Sequence, residues 1–414
     1  MQKINITSAD SGQTLIKFLS RYMKNAPKSF FYKMLRKKNI VLNGKKSDGT
    51  DMVKMGDEIT LFLSDETIDK FREEEIKDVR TKRLNSYEKH VKKLYGDSDK
   101  TISTEDLEVL YEDDDVIFVN KPAGVLSQKA DNADVSINEV IIDYVRENDE
   151  LTATSVKPAI CNRLDRNTSG VISAGKSITG LKALSYMFKA RSVKKYYRTI
   201  VMGKCDRKGI LEGRLYKDEE NNKVTVEIVS SKESAADGNF FDAFGEGAAN
   251  SEDTREFVPV KISIEPLFVS DSYSYLEIEL ITGKSHQIRA QLASIGNPVI
   301  GDFKYGNRNA NMAFLEKQHG GALKGKIKPD MFLHAYKLVM PEIEELEERA
   351  ESIKLKLKEI PDVSAAIRTG EIDEEDMNLA GVDWKKLEEI SGWDIIAPLP
   401  DYFKRALEII QAAK

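Results

Sequence analysis

From Asp65 to Lys100 the chain reads DETIDKFREEEIKDVRTKRLNSYEKHVKKLYGDSDK, a proline-free run that mixes both charges and has few apolar residues. A run of that kind has no place inside one packed domain, so it divides the chain into a small unit at 1–64, a charged, partly helical linker at 65–107 and a large unit at 108–414. The length of 414 residues agrees, since it exceeds one ordinary domain, and 41% apolar residues suffice for more than one core.

Charge separates the two units. The whole chain carries a formal −6, yet residues 12–63 hold eleven Lys and Arg against four Asp and Glu. Leu15, Phe18, Leu19 and Tyr22 recur at helical spacing, and Ser29 is the expected N-cap of a second helix through FFYKMLRKK. On that helix Lys33, Arg36 and Lys37 share one face, spaced to meet successive phosphates; Lys45 follows in the strand and turn NIVLNGKK, and GDEITLFL closes the unit as a strand. A basic surface this dense on so small a unit favours RNA or DNA over an idle solvated face.

The large unit alternates strands and helices. SINEVIIDYV carries a capping-box pattern, Ser136 to Glu139, ahead of the stripe Ile137, Val140, Ile141, Tyr144 and Val145. A second helix is expected from about Thr179 with Leu181, Leu184, Met187 and Phe188 inward, and a third in HQIRAQLASIG with Ile288, Leu292 and Ile295 inward and Gly296 as its stop. Two stretches look inserted: 231–255, rich in Gly, Ala, Ser and acids, and 342–391, where Glu342 to Asp376 holds thirteen acids against five bases. The polar N-terminus has no apolar targeting core and no run approaches a membrane span, so a cytoplasmic protein is expected. Cys161 and Cys205 lie far apart and the four histidines are scattered, which speaks against a disulfide framework or a metal site.

Chemistry concentrates at CNRLDRNTSG, where Asp165 lies between Arg163 and Arg166 and ahead of a Thr168-Ser169-Gly170 turn. An arginine two residues before a carboxylate favours its charged form, and the turn supplies backbone donors, a suitable setting for a nucleophile or base. By itself, an Asp between arginines is more often a surface ion pair. TGKSH contains the GKS of a phosphate-binding loop, but Ile278 occupies the position where that loop needs its first glycine, which excludes a nucleotide triphosphatase.

The surroundings of Asp165 decide between these readings. NRLDRNTSG resembles the H-R-L-D-x-x-T-S-G signature of the RluA-type pseudouridine synthases, and three further segments match in the family's order: VNKPAGVLSQ (119–128), KKYYRTIVMGK (194–204) and TGKSHQIRAQLASIGNPVIGDFKYG (282–306). The resemblance covers about 108–341 and the APLPDYF tail. The N-terminal unit in turn resembles the S-four-type RNA-binding module.

The resemblance implies an α+β fold, with a mixed, mainly antiparallel sheet in the catalytic domain, and an isomerase that flips a uridine out of RNA. Asp165 matches the catalytic aspartate that cleaves the glycosidic bond so that uracil can rejoin through carbon 5. Tyr197 matches the active-site tyrosine, and Arg289 the arginine that pairs with the carboxylate. Arg163 matches an arginine thought to fill the gap left by the flipped base. Asn162, Ile288 and Lys284 fall in matched motifs and are expected at the substrate; Asn162 stands for the usual histidine and Lys284 for the usual arginine, and Gln291 stands where a histidine often follows. Whether Asp165 attacks the nucleoside or removes the sugar's 2′ proton stays open.

Such an isomerisation involves no redox or hydrolytic step, so neither cofactor nor metal is expected, and the partner is RNA, bound by a monomer. Family members carrying such a module mostly modify large-subunit ribosomal RNA, the leading substrate, with transfer RNA as runner-up. Two rivals remain: a silent RNA-binding or ribosome-assembly factor, and a hydrolytic glycosidase, which usually needs a second acid that the matched motifs are not expected to supply.

Overall fold

The computed structural model describes residues 1–7, 10–71, 103–129, 134–148, 156–218, 223–228, 257–320, 330–359 and 383–412. The N-terminal unit comprises β1 (Gln2–Asn5), β2 (Gln13–Thr14), α1 (Leu15–Tyr22), α2 (Lys28–Arg36), β3 (Ile40–Leu42), β4 (Met52–Val53), β5 (Glu58–Leu61) and α3 (Asp65–Phe71). Strand β5 is central, with β1 and β3 antiparallel on either side, while β2 pairs β4. The apolar stripe of α1 and Phe31, Met34 and Leu35 of α2 close over this sheet, leaving Lys33, Arg36 and Lys37 exposed on the opposite face of α2. Asn43 and Gly44 both take positive φ in the turn after β3, the geometry that the NG pair of a tight turn supplies, and Lys45 follows it exposed.

Strand β1 was not foreseen: Ile4 and its neighbours pair with β5 across more than fifty residues of sequence. Two expectations fail here. Ser29 does not cap α2: the helix starts two residues too early for it and its cap is Pro27, whose carbonyl accepts from the Phe30 N–H. The charged run begins as part of the N-terminal core, not as linker, since Ile68 of α3 is buried there and the Phe71 ring lies 4.8 Å from that of Phe30.

The large unit continues with β6 (Glu108–Glu112), β7 (Val116–Lys121), α4 (Ile137–Asn148), β8 (Ala159–Ile160), β9 (Ser169–Gly175), α5 (Ile178–Lys189), β10 (Lys194–Met202), β11 (Gly209–Asp218), β12 (Lys223–Ile228), β13 (Val258–Val269), β14 (Tyr273–Leu280), α6 (Gln287–Ser294), α7 (Arg308–Gln318), β15 (Leu333–Val339), α8 (Ile343–Glu359), α9 (Trp384–Ile390), β16 (Asp394–Ile396) and α10 (Asp401–Ala412). Its strands form one sheet in the order β12-β11-β13-β14-β10-β15-β9-β7-β6, with β8 also on β9 and β16 also on β15. Every pair is antiparallel except β15 with β9, so the fold is α+β with a mixed, mainly antiparallel sheet.

Strand alternation sorts the sheet's two faces. Ile117, Val119, Ile172, Tyr197 and Val201 point to the face covered by α4 and α6. Val116, Phe118 and Val171 point to the other, covered by α5, α8 and α9, and Ile200 meets α10 there. The capping box at Ser136 does not form: the Ser136 carbonyl accepts the Glu139 N–H, its hydroxyl has no partner among the described residues, and Glu139 pairs with Lys129 instead. In α5 Leu184 and Met187 are buried as expected, but Leu181 and Phe188 only half so; Ile295 is likewise only half-buried, just past the end of α6.

The acidic insertion is partly seen, in α8 and α9, whose Leu346, Leu387 and Ile390 join the core formed by α5. Buried Lys386 of α9 pins it to the acidic turn after β6 through Asp113, at 2.8 Å, and Asp115, at 3.3 Å. The stretch 231–255 lies outside the described residues. Among the described residues no helix is long and apolar enough to cross a membrane, and no group of three or more His, Cys, Asp or Glu could hold a metal ion.

Candidate active site

Asp165 sits in the connection between β8 and β9, and its neighbours' backbone is held from below by the first motif. The Lys121 ammonium, fully buried at the end of β7, donates to the carbonyls of Pro122, Val125 and Arg166. The Gly124 N–H also reaches the Arg166 carbonyl, while Ser127 Oγ both donates to the Leu164 carbonyl and accepts from its N–H. Both residues flanking Asp165 are thus fixed, and the Thr168 N–H closes the turn on the Asp165 carbonyl. Beyond the turn, Gly170 pairs with Ala335 across the parallel junction; a Cβ there would lie 2.2 Å from the Ala335 carbonyl oxygen, so only glycine lets β9 and β15 meet.

The opposite wall comes from α6 and the turn at 301–306. Arg289 spans two carboxylates: NH1 donates to Asp165 Oδ2 at 2.8 Å, while Nε and NH2 form a fork on Asp302 at 2.7 and 3.0 Å. Asp302 is saturated, because its Oδ1 also accepts the N–H groups of Lys304 and Tyr305. Burial pushes the Asp302 carboxyl up, but the Arg289 bonds and charge and these backbone donors outweigh it and hold the group below the usual carboxylate range. For Arg289 burial acts against the charge, and its bonds to Asp302 and the fields of both carboxylates more than restore it. The Asp165 side chain keeps 27% exposure, and among the described residues its Oδ1 has no hydrogen-bond partner.

His286 completes the wall. It precedes α6 in the left-handed region (φ 57°) and puts Nε2 3.9 Å from Asp165 Oδ2. Its Nδ1 lies 3.0 Å from the Tyr305 hydroxyl, which also accepts the Val224 N–H. Burial pulls the imidazole below its ordinary value despite the nearby Asp165 charge, which favours a neutral ring with Tyr305 donating to Nδ1 and the proton on Nε2, toward Asp165. Tyr197 is buried on the same sheet face; burial first, and then the Asp165 charge, push its phenol up, so it stays protonated and cannot serve as a resting base.

These groups open on a cavity of about 710 Å3, lined by Asp165, Arg289 and His286 together with Arg163, Arg166, Lys304 and Phe303. Of the expected site residues, Asp165, Arg289 and Arg163 line it and Tyr197 lies behind Asp165. Three others do not reach it. Asn162 turns inward, its Nδ2 donating to the Val171 carbonyl and its Oδ1 accepting from the Ser173 N–H and hydroxyl, so it ties the loop to β9 and is absent from the cavity lining. Ile288 is a core residue of α6, and Lys284 is exposed outside the lining. The cation on Asp165 is Arg289, not its sequence neighbour Arg163.

Lys121, Ser127, His286 and Asp302 escaped the sequence reading, although all four lie within segments that were matched. Asp302 also corrects the expectation of no second acid there; it is 1% exposed and committed to Arg289, which removes it as a hydrolytic partner.

One carboxylate held by a buried guanidinium, beside a protonated tyrosine and a neutral histidine in a cation-rimmed cleft, defines a class: an acid–base or nucleophilic site built for a polyanionic substrate. Comparison with known proteins agrees. Residues 115–294 match the sequence model of the RNA pseudouridylate synthase family. An uncharacterized RNA pseudouridine synthase of Mycoplasma genitalium is 26% identical over 83% of this chain and 90% of its own. Ribosomal large subunit pseudouridine synthase C of Vibrio parahaemolyticus is 25% identical over 81% and 87%, and synthase D of Borreliella burgdorferi 28% over 56% and 60%. Over residues 115–294, and at 25–28% identity to these relatives, the chain is similar to RNA pseudouridine synthases, which are isomerases acting on RNA.

Proposed function

We propose that this enzyme converts specific uridines of large-subunit ribosomal RNA to pseudouridine, with Asp165 as the catalytic group. The observation that carries the chemistry is the asymmetric hold on Asp165, a residue that lines the cavity: Oδ2 is fixed by Arg289 while Oδ1 has no hydrogen-bond partner among the described residues. In the proposed reaction the target uridine flips into the cleft, Asp165 promotes breakage of the bond from C1′ to N1, uracil turns, and C1′ bonds to C5. The C5 proton is then lost and N1 gains one, so the isomer balances without a co-reactant. Attack by Oδ1 and removal of the 2′ proton both start from this carboxylate. Tyr197, kept protonated, backs Asp165 from the sheet, and Arg163 enters the stack where the base has left.

Ribosomal RNA is favoured by what the synthase C and D relatives are named for and by the exposed Lys33, Arg36, Lys37 and Lys45 of an N-terminal unit resembling the S-four-type module, which would hold structured RNA through phosphates. The test incubates the full chain and Asp165→Asn with unmodified ribosomal and transfer RNA, then maps sites by carbodiimide labelling and reverse-transcription stops. Stops at discrete ribosomal uridines with the wild type only are expected. Stops on transfer RNA alone would move the substrate, and none on either RNA despite binding would point to an assembly factor.

A further inference from the structure

The turn that braces Arg289 also carries an aromatic ring whose position the chemistry at Asp165 does not explain. Phe303 is 36% exposed, lines the cleft, and has the Arg308 guanidinium over its ring at 5.9 Å. An exposed phenylalanine beside cations is unremarkable on a loose loop, but this one is not loose. Asp302 Oδ1 accepts the N–H groups of Lys304 and Tyr305, Asn311 Nδ2 donates to the Asp302 carbonyl, and Asn311 Oδ1 accepts the Gly301 N–H. The carboxylate that sets Arg289 therefore also sets the backbone on either side of Phe303, which ties the position of this residue in the turn to Arg289 and through it to Asp165.

A cavity of about 710 Å3 is in the range that takes a drug-sized ligand, well above one pyrimidine, so the cleft has room for part of a neighbouring nucleotide. Arg166 lines it too and forms no ion pair among the described residues, which leaves it for a phosphate. From this arrangement we infer that Phe303 is a stacking platform for the unpaired base next to the flipped uridine, a subsite that favours a purine flank because a larger π-face covers more of the ring. The inference rests on the proposed RNA reaction but concerns recognition, not the bond exchange. Its consequence is that this enzyme selects uridines in loops where the adjacent base can leave its own stack.

The probes are RNA hairpins with a seven-nucleotide loop, one loop uridine, and 2-aminopurine on its 5′ or its 3′ side, titrated with the full-length chain. Wild type is expected to quench the aminopurine on one side of the uridine. Phe303→Ala should abolish that quenching and weaken binding roughly tenfold, whereas Phe303→Trp should keep both. Matching thermal midpoints of the variants would show that the fold is intact. Equal quenching and affinity for wild type and Phe303→Ala, or no saturable binding of any hairpin by wild type, would overturn the inference. Pseudouridine mapping on ribosomal RNA is read separately, so its failure would remove the substrate assignment while leaving this stacking result to stand or fall alone.

Discussion

Arg289 and the outer face of α2 both carry cations, and they use them in opposite ways. Arg289 is 10% exposed and directs three N–H groups at two carboxylates. Lys33, Arg36 and Lys37 are exposed and make no ion pair among the described residues. A buried guanidinium fixed by Asp302 gives geometry; it can position one oxygen of Asp165 but cannot follow a moving phosphate. Exposed lysines give a field, which attracts RNA without fixing its register. The molecule separates capture from chemistry, and single substitutions can test that separation.

The largest effects are expected at the brace. Asp302→Asn leaves a buried guanidinium without its fork and should destabilise the chain by about 3–5 kcal/mol, the cost of breaking a buried pair from one side, seen as a lower denaturant midpoint. Arg289→Lys keeps the charge but has one nitrogen where three N–H groups are used, so turnover should fall steeply, while Arg36→Lys should leave turnover unchanged. Wild-type rates from Arg289→Lys would sink the idea that geometry, not charge alone, is what this residue supplies.

A smaller effect should appear with pH on the braced side. His334 of β15 is fully buried, with Nδ1 2.8 Å from Ser169 Oγ and Nε2 3.1 Å from the Ala397 carbonyl, so it links the start of β9 to the segment after β16. Nε2 donates and Nδ1 accepts, which requires the neutral ring, and burial, partly offset by the bond to Ala397, pulls its pKa down to about 4. The unfolded imidazole titrates near 6.5, so between these values the unfolded chain binds more protons. The stability is complete above pH 6.5 and drains toward pH 4, on the order of 3 kcal/mol in all. Chemical denaturation at stepped pH should show this loss, and His334→Gln should flatten it; an unchanged slope in the variant would place the dependence elsewhere.

What could be read from the sequence follows the same division. Asp165, Arg289 and Tyr197 lie in short contiguous motifs and were reached through the resemblance those motifs carry, while Lys33, Arg36 and Lys37 follow from a helical period. Asp302 and His286 were not recognised because their roles depend on partners: Arg289 is thirteen residues from Asp302 in sequence, and Tyr305 nineteen from His286. Asn162 was misplaced for the converse reason. A polar residue three before a catalytic acid looks like a substrate contact, but its side chain follows the strand it borders, and only the fold shows β9 beneath it. Strand β1 was hidden because its partner β5 comes more than fifty residues later, and Ser29 was a sound cap by type in a helix that starts two residues too early to use it.

The smallest expected effect probes the field side alone. Lys33→Ala, Arg36→Ala and Lys37→Ala combined removes three exposed charges from a face that packs against nothing in the N-terminal core, so stability should hold. If each neutralises one phosphate, the plot of log binding constant against log salt should become shallower by about 2 to 3, and binding should weaken most at low salt. At saturating RNA the turnover should match wild type, because Asp165, Arg289 and Asp302 are untouched. A fall in kcat with an unchanged salt slope would reverse the assignment, giving α2 a part in setting geometry and leaving capture to the arginines of the cleft.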